Sequence, residues 1–296
     1  MRTMNMGVVG TKPQGEIDKR CIGCFLKTYQ RLFKKFNLGV AKQKEFIAFY
    51  QKTIQKAKHL SSPEIQRELN NEFCRIINVD DPFTAEKVNS NHIALDLYRE
   101  WKPKVHSSIN PFDLALRLSI AANIMDYGAN SKFDIYSTLN EVLNASFAID
   151  HSGLLKEKVS NSKKILFLGD NAGEIVFDKL LIETMMHNNT IYAVKDAPVL
   201  NDVTITDAKE VRMDLVADVI SNGFDAPSTI LNKCSDAFLK EYNSADLIIS
   251  KGQGNFEGLM HQNDSRIFFL LMVKCDVIAD VLNVAKGSFV VYNQGK

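Results

Sequence analysis

From Lys163 to the C-terminus the chain keeps repeating one unit: a short apolar run, a polar turn, then an amphipathic stretch. This alternation predicts a parallel-type sheet flanked by helices, an α/β architecture of the Rossmann-like kind. The runs expected as strands are Ile165 to Leu168, Ile191 to Val194, Val219 to Ser221, Leu247 to Ser250, Ile267 to Val273 and Phe289 to Tyr292. Between them, Glu174 to His187, Thr206 to Arg212, Ser228 to Tyr242, Phe256 to His261 and Asp276 to Leu282 read as helices.

The preceding residues carry a different period. From about Asp18 to Leu155 apolar side chains recur every three or four positions, as in Phe25, Tyr29, Leu32, Phe33 and Phe36, and in Leu114, Leu118, Ala121, Ala122 and Met125. Further helices are expected at Lys42 to Lys58, Ser62 to Asn78, Phe83 to Lys102 and Tyr136 to Asn144, with Pro63, Pro82, Pro103 and Pro111 near their ends. No fixed-period repeat is present, and the polar stretch Lys156 to Lys164 marks the expected boundary. The domains expected are therefore an all-helical one over 1–155 and an α/β one over 156–296.

Charge narrows the partners. With 36 Lys+Arg against 35 Asp+Glu, the electrostatic footprint of a nucleic-acid or acidic-membrane binder is missing, so a small-molecule partner is expected. The apolar run Ile267 to Val273 is seven residues long, far below the roughly 20 that span a bilayer. The first twenty residues lack the apolar core of a secretory signal, and five cysteines do not suggest a secreted disulfide framework, so a cytoplasmic location is expected.

In doubly wound sheets ligands bind beyond the carboxyl ends of the strands, which singles out four segments: Gly169 to Glu174 (GDNAGE), Ala197 to Asp202 (APVLND), Asn222 to Thr229 (NGFDAPST) and Ser250 to Asn255 (SKGQGN). Asp170 and Asn171 bring a carboxylate and an amide oxygen to the first strand's mouth, and Asp202 offers another oxygen from the neighbouring strand. Three such oxygens suit a hard divalent cation such as Mg²⁺ or Mn²⁺. Two carboxylates and a neutral amide cancel its charge, so a phosphate dianion can approach. The same residues also make good helix caps and turns, with Glu174 in a helix's first turn.

Lys251 follows a strand and precedes Gly252 and Gly254, so its ammonium and the exposed amides of the glycine-rich turn can close on a phosphoryl group; a solvated turn lysine is the plainer alternative. Asn123 and Asp126 lie three apart on a helix, placed to line the opposite wall of a cleft or to form a hydrogen-bonded pair. Asp225 stands where it can touch substrate or metal, but Asn-Gly and Asp-Ala-Pro are also ordinary turn chemistry, with Ser228 as a plausible cap. Cys21 and Cys24 form a C-x-x-C without a second pair at zinc-finger spacing; a redox pair, half a metal site completed by Cys74 or a partner chain, and two core-facing thiols all remain open. Walker A, G-x-G-x-x-G after the first strand, H-E-x-x-H and G-x-S-x-G are absent.

Taken in order, CIGC, AANIMDYG, GDNAGE, PVLND and SKGQGN resemble the metal-dependent damage-control phosphatases, a family formerly catalogued as a domain of unknown function, and most closely its shorter microbial branch with the early C-x-x-C. The likeness runs over almost the whole chain. It implies an α/β core with an N-terminal helical domain and hydrolysis of phosphate monoesters, typically sugar phosphates or damaged phosphometabolites. It carries the metal ligands onto Asp170, Asn171 and Asp202, and a basic loop residue onto Lys251, with Asn255 beside it. Glu174, Gly252, Asn123 and Asp126 fall in its substrate-facing motifs. Gln253 stands where better-studied relatives have an acidic residue.

The cofactor so implied is a divalent metal, Mn²⁺, Ni²⁺, Co²⁺ or Mg²⁺, and the first-choice nucleophile is a water acidified by the cation and oriented by Asp170 or Asp202; an aspartyl-phosphate intermediate stays open, although GDNAGE lacks the D-x-D of haloacid-dehalogenase-type phosphatases. The partner is a small phosphorylated metabolite; the oligomeric state, a homo-oligomer included, stays open. Two rivals are an S-adenosylmethionine-dependent methyltransferase, which calls for a more glycine-rich first turn, and a non-catalytic metabolite-binding protein.

Overall fold

The structure, a computed structural model, describes residues 17–57, 60–122, 143 and 145–295. The expected helix from Tyr136 to Asn144 falls outside this set apart from Leu143, as do Asn123 and Asp126.

Helices α1 (Lys19–Lys35), α2 (Val40–Lys56) and α3 (Ser62–Ile77) build a core of their own. Asp18 caps α1 by accepting from the Arg20 amide, and Ser61 and Glu64 close a capping box on α3 with Pro63 in its first turn. The interior is aromatic: Tyr29, Phe33, Phe46 and Phe73 pack ring against ring, with centroid separations from 4.5 to 6.4 Å. Leu200, from the α/β region, packs against the same cluster.

Helices α4 (Thr84–His106) and α5 (Pro111–Ala121) belong to a different core. Ala94, Leu97, Trp101, Phe112, Leu116 and Ile120 share one cluster with Ile165 and Phe167 of the sheet, so packing is continuous across the segment where the sequence changes period. Helix α4 also runs through Pro103 to His106, four residues past the expected end at Lys102. Proline near a helix C-terminus costs one hydrogen bond, and burial of Trp101 and Val105 holds the last turn in place.

Seven strands form one sheet: β1 (Ile149–Asp150), β2 (Ile165–Leu168), β3 (Thr190–Val194), β4 (Asp218–Ser221), β5 (Leu247–Lys251), β6 (Ile267–Met272) and β7 (Phe289–Asn293), in the order β1-β7-β6-β5-β2-β3-β4. Strands β4, β3, β2, β5 and β6 are parallel; β7 runs antiparallel to β6, and β1 is parallel to β7. Six strands match the apolar runs. The two-residue β1 has too little sequence to produce a pattern. The reversal at β7 arises because the chain, after a short helix, turns at Gly287 (φ +87°) and lays Gly287 and Ser288 directly beside Val273.

Helices cover both faces. With α4 and α5, α6 (Ser152–Asn161) and α7 (Glu174–Met185) pack on one face. Helices α9 (Asp236–Ser244), α10 (Gly252–Leu259) and α11 (Asp276–Leu282) pack on the other, while α8 (Ile205–Glu210) follows β3 and its loop. The helix expected from Ser228 begins only at Asp236, capped by Ser235. Ser228 and Thr229 donate instead to the Gly254 carbonyl (2.7 Å) and to Asn255 Oδ1 (2.9 Å), which ties their segment down onto α10. Among the described residues no helix is long and apolar enough to cross a membrane.

Candidate active site

The strand order reverses beside β2: the chain builds β3 and β4 outward on one side, then crosses to build β5 and β6 on the other. This is the switch point at which doubly wound sheets leave a crevice. Asp170, Asn171 and Glu174 follow β2, Lys195 follows β3, and Lys251 ends β5.

Backbone pairing lays the two loops that carry the three expected oxygen donors side by side. Asn171 and Asp202 form an isolated antiparallel bridge, the Val203 amide donates to the Asp170 carbonyl (2.9 Å), and the Ala172 amide donates to the Asn201 carbonyl (3.0 Å). The loop after β3 thus folds back as a short strand along the loop after β2. Asp170, Asn171 and Asp202 are all buried. The Asn171 amide nitrogen donates to Asp170 Oδ2 (2.7 Å) and Glu174 Oε2 (3.2 Å), which turns its oxygen away from those two carboxylates.

Gly252 explains how the Asp170 carboxylate fits. At φ +78° it turns β5 straight into α10, so the glycine-rich segment is the first turn of a helix, not the loop ahead of the expected Phe256 to His261 helix. A Cβ placed there would lie 1.9 Å from Asp170 Oδ2. Gly252→Ala is therefore expected to shift the carboxylate. Overpacking adds about 1–3 kcal/mol and the left-handed backbone about 1–2 kcal/mol of destabilisation. A urea midpoint equal to that of the wild type would contradict this contact.

Lys251 lies in a sealed network. Its ammonium donates to Glu174 Oε1 (2.6 Å), Asp178 Oδ1 (2.6 Å) and the Ser119 carbonyl (2.9 Å), and no part of it reaches solvent. All three N–H groups are thereby committed inside the protein, which differs both from a solvated turn lysine and from one reaching for a phosphoryl oxygen. Burial opposes its charge, and Asp178 and Glu174 outweigh that effect, leaving its pKa raised. Burial pushes the Asp178 carboxyl up to about 6, against the pull of Lys251. Asp178 also accepts from Ser119 Oγ (2.7 Å) and Tyr192 Oη (2.9 Å).

Asn255 is likewise engaged. Its amide donates to the Gly169 and Lys251 carbonyls (3.0 and 2.9 Å), while its oxygen accepts from Lys195 Nζ and Thr229 Oγ1 (2.9 Å each). One side chain thereby ties the ends of β2, β3 and β5 together. Asn91 on α4 holds the opposite side by accepting from the Gly173 amide (2.6 Å), where Gly173 takes φ +77°. Asp225 pairs with Arg67 of α3, whose guanidinium lies over the Phe224 ring.

Asp178, Lys195, Ser119 and Tyr192 were not among the expected site residues. Two carried a signal: Asp178 stands four residues after Glu174 on an otherwise apolar helix face, and Lys195 directly follows a strand. Ser119 and Tyr192 carried none, being ordinary members of an apolar helix and strand.

The residues fit a divalent cation on two counts. Two carboxylates and an amide are hard oxygen donors. With Asp170, Asp202, Glu174 and Asp178 ionised, the Lys195 and Lys251 ammoniums leave two negative charges uncancelled, the charge one divalent ion neutralises. Among the described residues no group of three or more His, Cys, Asp or Glu is disposed to surround a metal, so the Asn171 amide and solvent would complete the shell.

The C-x-x-C begins α1, with Cys21 partly buried, Cys24 exposed, and all five cysteines free. Cys21 lies within the electrostatic reach of Glu257 and Cys275, whereas Cys74 neighbours Asp80 and Asp81. Burial pushes the Cys21 thiol up to about 12.

Residues 17–290 match a family model described as the damage-control phosphatase ARMT1-like domain. A damage-control phosphatase from Pyrococcus horikoshii is 38% identical over 223 residues, covering 74% of this chain and 77% of that protein. A damage-control phosphatase from Archaeoglobus fulgidus is 32% identical over 245 residues, covering 79% and 84%. The crystal structure of a DUF89 family protein from Pyrococcus horikoshii superposes with a TM-score of 0.85 at 31% identity, over 94% of this chain and 99% of that one.

Proposed function

This chain belongs to the damage-control phosphatase ARMT1-like domain family, and we propose that it is a cytoplasmic, divalent-metal-dependent phosphatase acting on small phosphate monoesters, sugar phosphates or damaged phosphometabolites. The observation that carries this reading is the Asn171–Asp202 bridge, which sets two loops bearing buried Asp170, Asn171 and Asp202 against each other at the switch point of the sheet.

Asp170, Asn171 and Asp202 would hold the cation. When bound, a divalent ion acidifies a coordinated water and polarises a phosphoryl oxygen. The protein's part is placement. Asp170 is fixed by Asn171 and by the clearance that Gly252 leaves, and Asp202 by the backbone pairing around it. Either carboxylate is placed to accept a hydrogen bond from the attacking water. Lys251 serves as a positioning residue: it holds Glu174 at the start of α7, and Glu174 in turn accepts from the Asn171 amide.

Protein dialysed against chelator is expected to lose p-nitrophenyl phosphate hydrolysis and to regain it with Mn²⁺, Co²⁺, Ni²⁺ or Mg²⁺. Hydrolysis that persists undiminished in chelator would refute metal dependence. Turnover of no phosphorylated metabolite after reconstitution would refute the phosphatase.

A further inference from the structure

Two buried lysines flank the end of β2, one on β5 and one just past β3, and their hydrogen bonding differs. Lys251 has spent all three of its donors. Lys195, 1% exposed, makes one hydrogen bond among the described residues, to Asn255 Oδ1 at 2.9 Å, and holds Asp202 Oδ2 at 3.8 Å, beyond hydrogen-bond length. An ammonium has three N–H groups, and a buried charge whose donors are not all used is costly unless a further acceptor completes the set.

Resting on the phosphatase reading above, we propose that Lys195 is the catalytic ammonium that contacts a non-bridging oxygen of the substrate's phosphoryl group. Its location supports this. It stands beside Asp202, an expected metal ligand, and is held through Asn255 to the mouths of β2 and β5. A phosphoryl group brought to the three oxygen donors would therefore meet Lys195 next to Asp202, where a charge-assisted N–H···O bond strengthens as negative charge shifts onto the phosphoryl oxygens. In the reaction a water oxygen forms a new P–O bond as the ester P–O bond breaks. The leaving alkoxide takes the proton the water loses, giving alcohol and inorganic phosphate, and Lys195 keeps its own proton throughout.

The test compares wild type with Lys195→Met using inorganic phosphate as the probe. Phosphate is read both as an inhibitor of p-nitrophenyl phosphate hydrolysis and, without turnover, as a thermal stabiliser of Mn²⁺-loaded protein. In Lys195→Met, phosphate inhibition is expected to weaken at least ~10-fold and kcat/KM to fall ~100-fold. Mn²⁺ binding, measured by calorimetry without phosphate, should not weaken, because the substitution removes a positive charge from beside Asp202. Phosphate affinity within about twofold of wild type would overturn the assignment and leave Lys195 a partner of Asp202 and Asn255 alone. Should Lys195→Met not fold, the neutral but polar Lys195→Gln decides: phosphate inhibition weakened at least ~10-fold supports the contact, and inhibition within about twofold of wild type overturns it. Wild-type protein that neither hydrolyses the ester nor is stabilised by phosphate defeats the phosphatase reading itself; an active wild type with an unaffected Lys195→Met defeats only the role of the lysine.

Discussion

Asp170→Ala is expected to lower kcat/KM for p-nitrophenyl phosphate by about 10³-fold, several kcal/mol of transition-state stabilisation, and added metal should not restore it. The carboxylate is buried, its Oδ2 accepts from Asn171, and the backbone of Gly252 leaves it room. The variant should still fold. Asp170 bonds to the neighbouring loop through its carbonyl, which alanine keeps, and losing the carboxylate relieves the close approach to Gly252. The expected signature is a wild-type circular dichroism spectrum with metal-stimulated activity gone. Activity within about threefold of wild type would remove Asp170 from the ligand set and leave the Asn171–Asp202 bridge without a catalytic reason.

Lys251→Met should act chiefly on stability. It leaves Glu174 and Asp178 buried together without their shared cation, a loss of the kind that costs about 3–5 kcal/mol. In a chain of this size that corresponds to a fall in melting temperature of roughly 5–8 °C. The pH dependence has a defined sign. Burial already raises the Asp178 carboxyl to about 6, above its ordinary value, so this group's contribution to stability is greatest in acid and declines as the pH rises through that value. Removing the lysine raises the carboxyl further. The deficit of Lys251→Met should therefore be larger at pH 8 than at pH 5, and adding Asp178→Asn should recover part of it. A melting temperature within about 2 °C of wild type at pH 8 would show that the network does not stabilise the fold.

Much of the sheet was legible because a short apolar run flanked by turn residues has few other ways to be buried. All six expected strands formed within a residue or so of their expected ends, and β1, two residues long, was the strand missed. Helix starts were less legible where side chains had other partners. Ser228 looks like a cap in one dimension, but in the fold its hydroxyl and that of Thr229 donate to the Gly254 carbonyl and to Asn255. The glycine-rich SKGQGN segment reads as a loop because glycine disfavours helix interiors. It folds as strand end and helix start because Gly252 must pass beside the Asp170 carboxylate and Gly254 beside the Pro227 carbonyl.

The candidate site divides in the same way. Which residues stand at strand ends follows from the sequence, since alternating runs and turns fix the residue that emerges from each strand; Asp170, Asn171 and Lys251 stand there, whereas Asp202 lies in the loop eight residues past β3. How those residues are used was decided by the tertiary structure. Strand order put β5 and β3 on either side of β2, so Lys251 met Glu174 and Asp178 inside the core while Lys195 was left beside Asp202. The periodicity of a chain reports which side chains are withdrawn from water. Which charge each buried charge then faces depends on contacts between segments dozens of residues apart, and no local pattern carries that information.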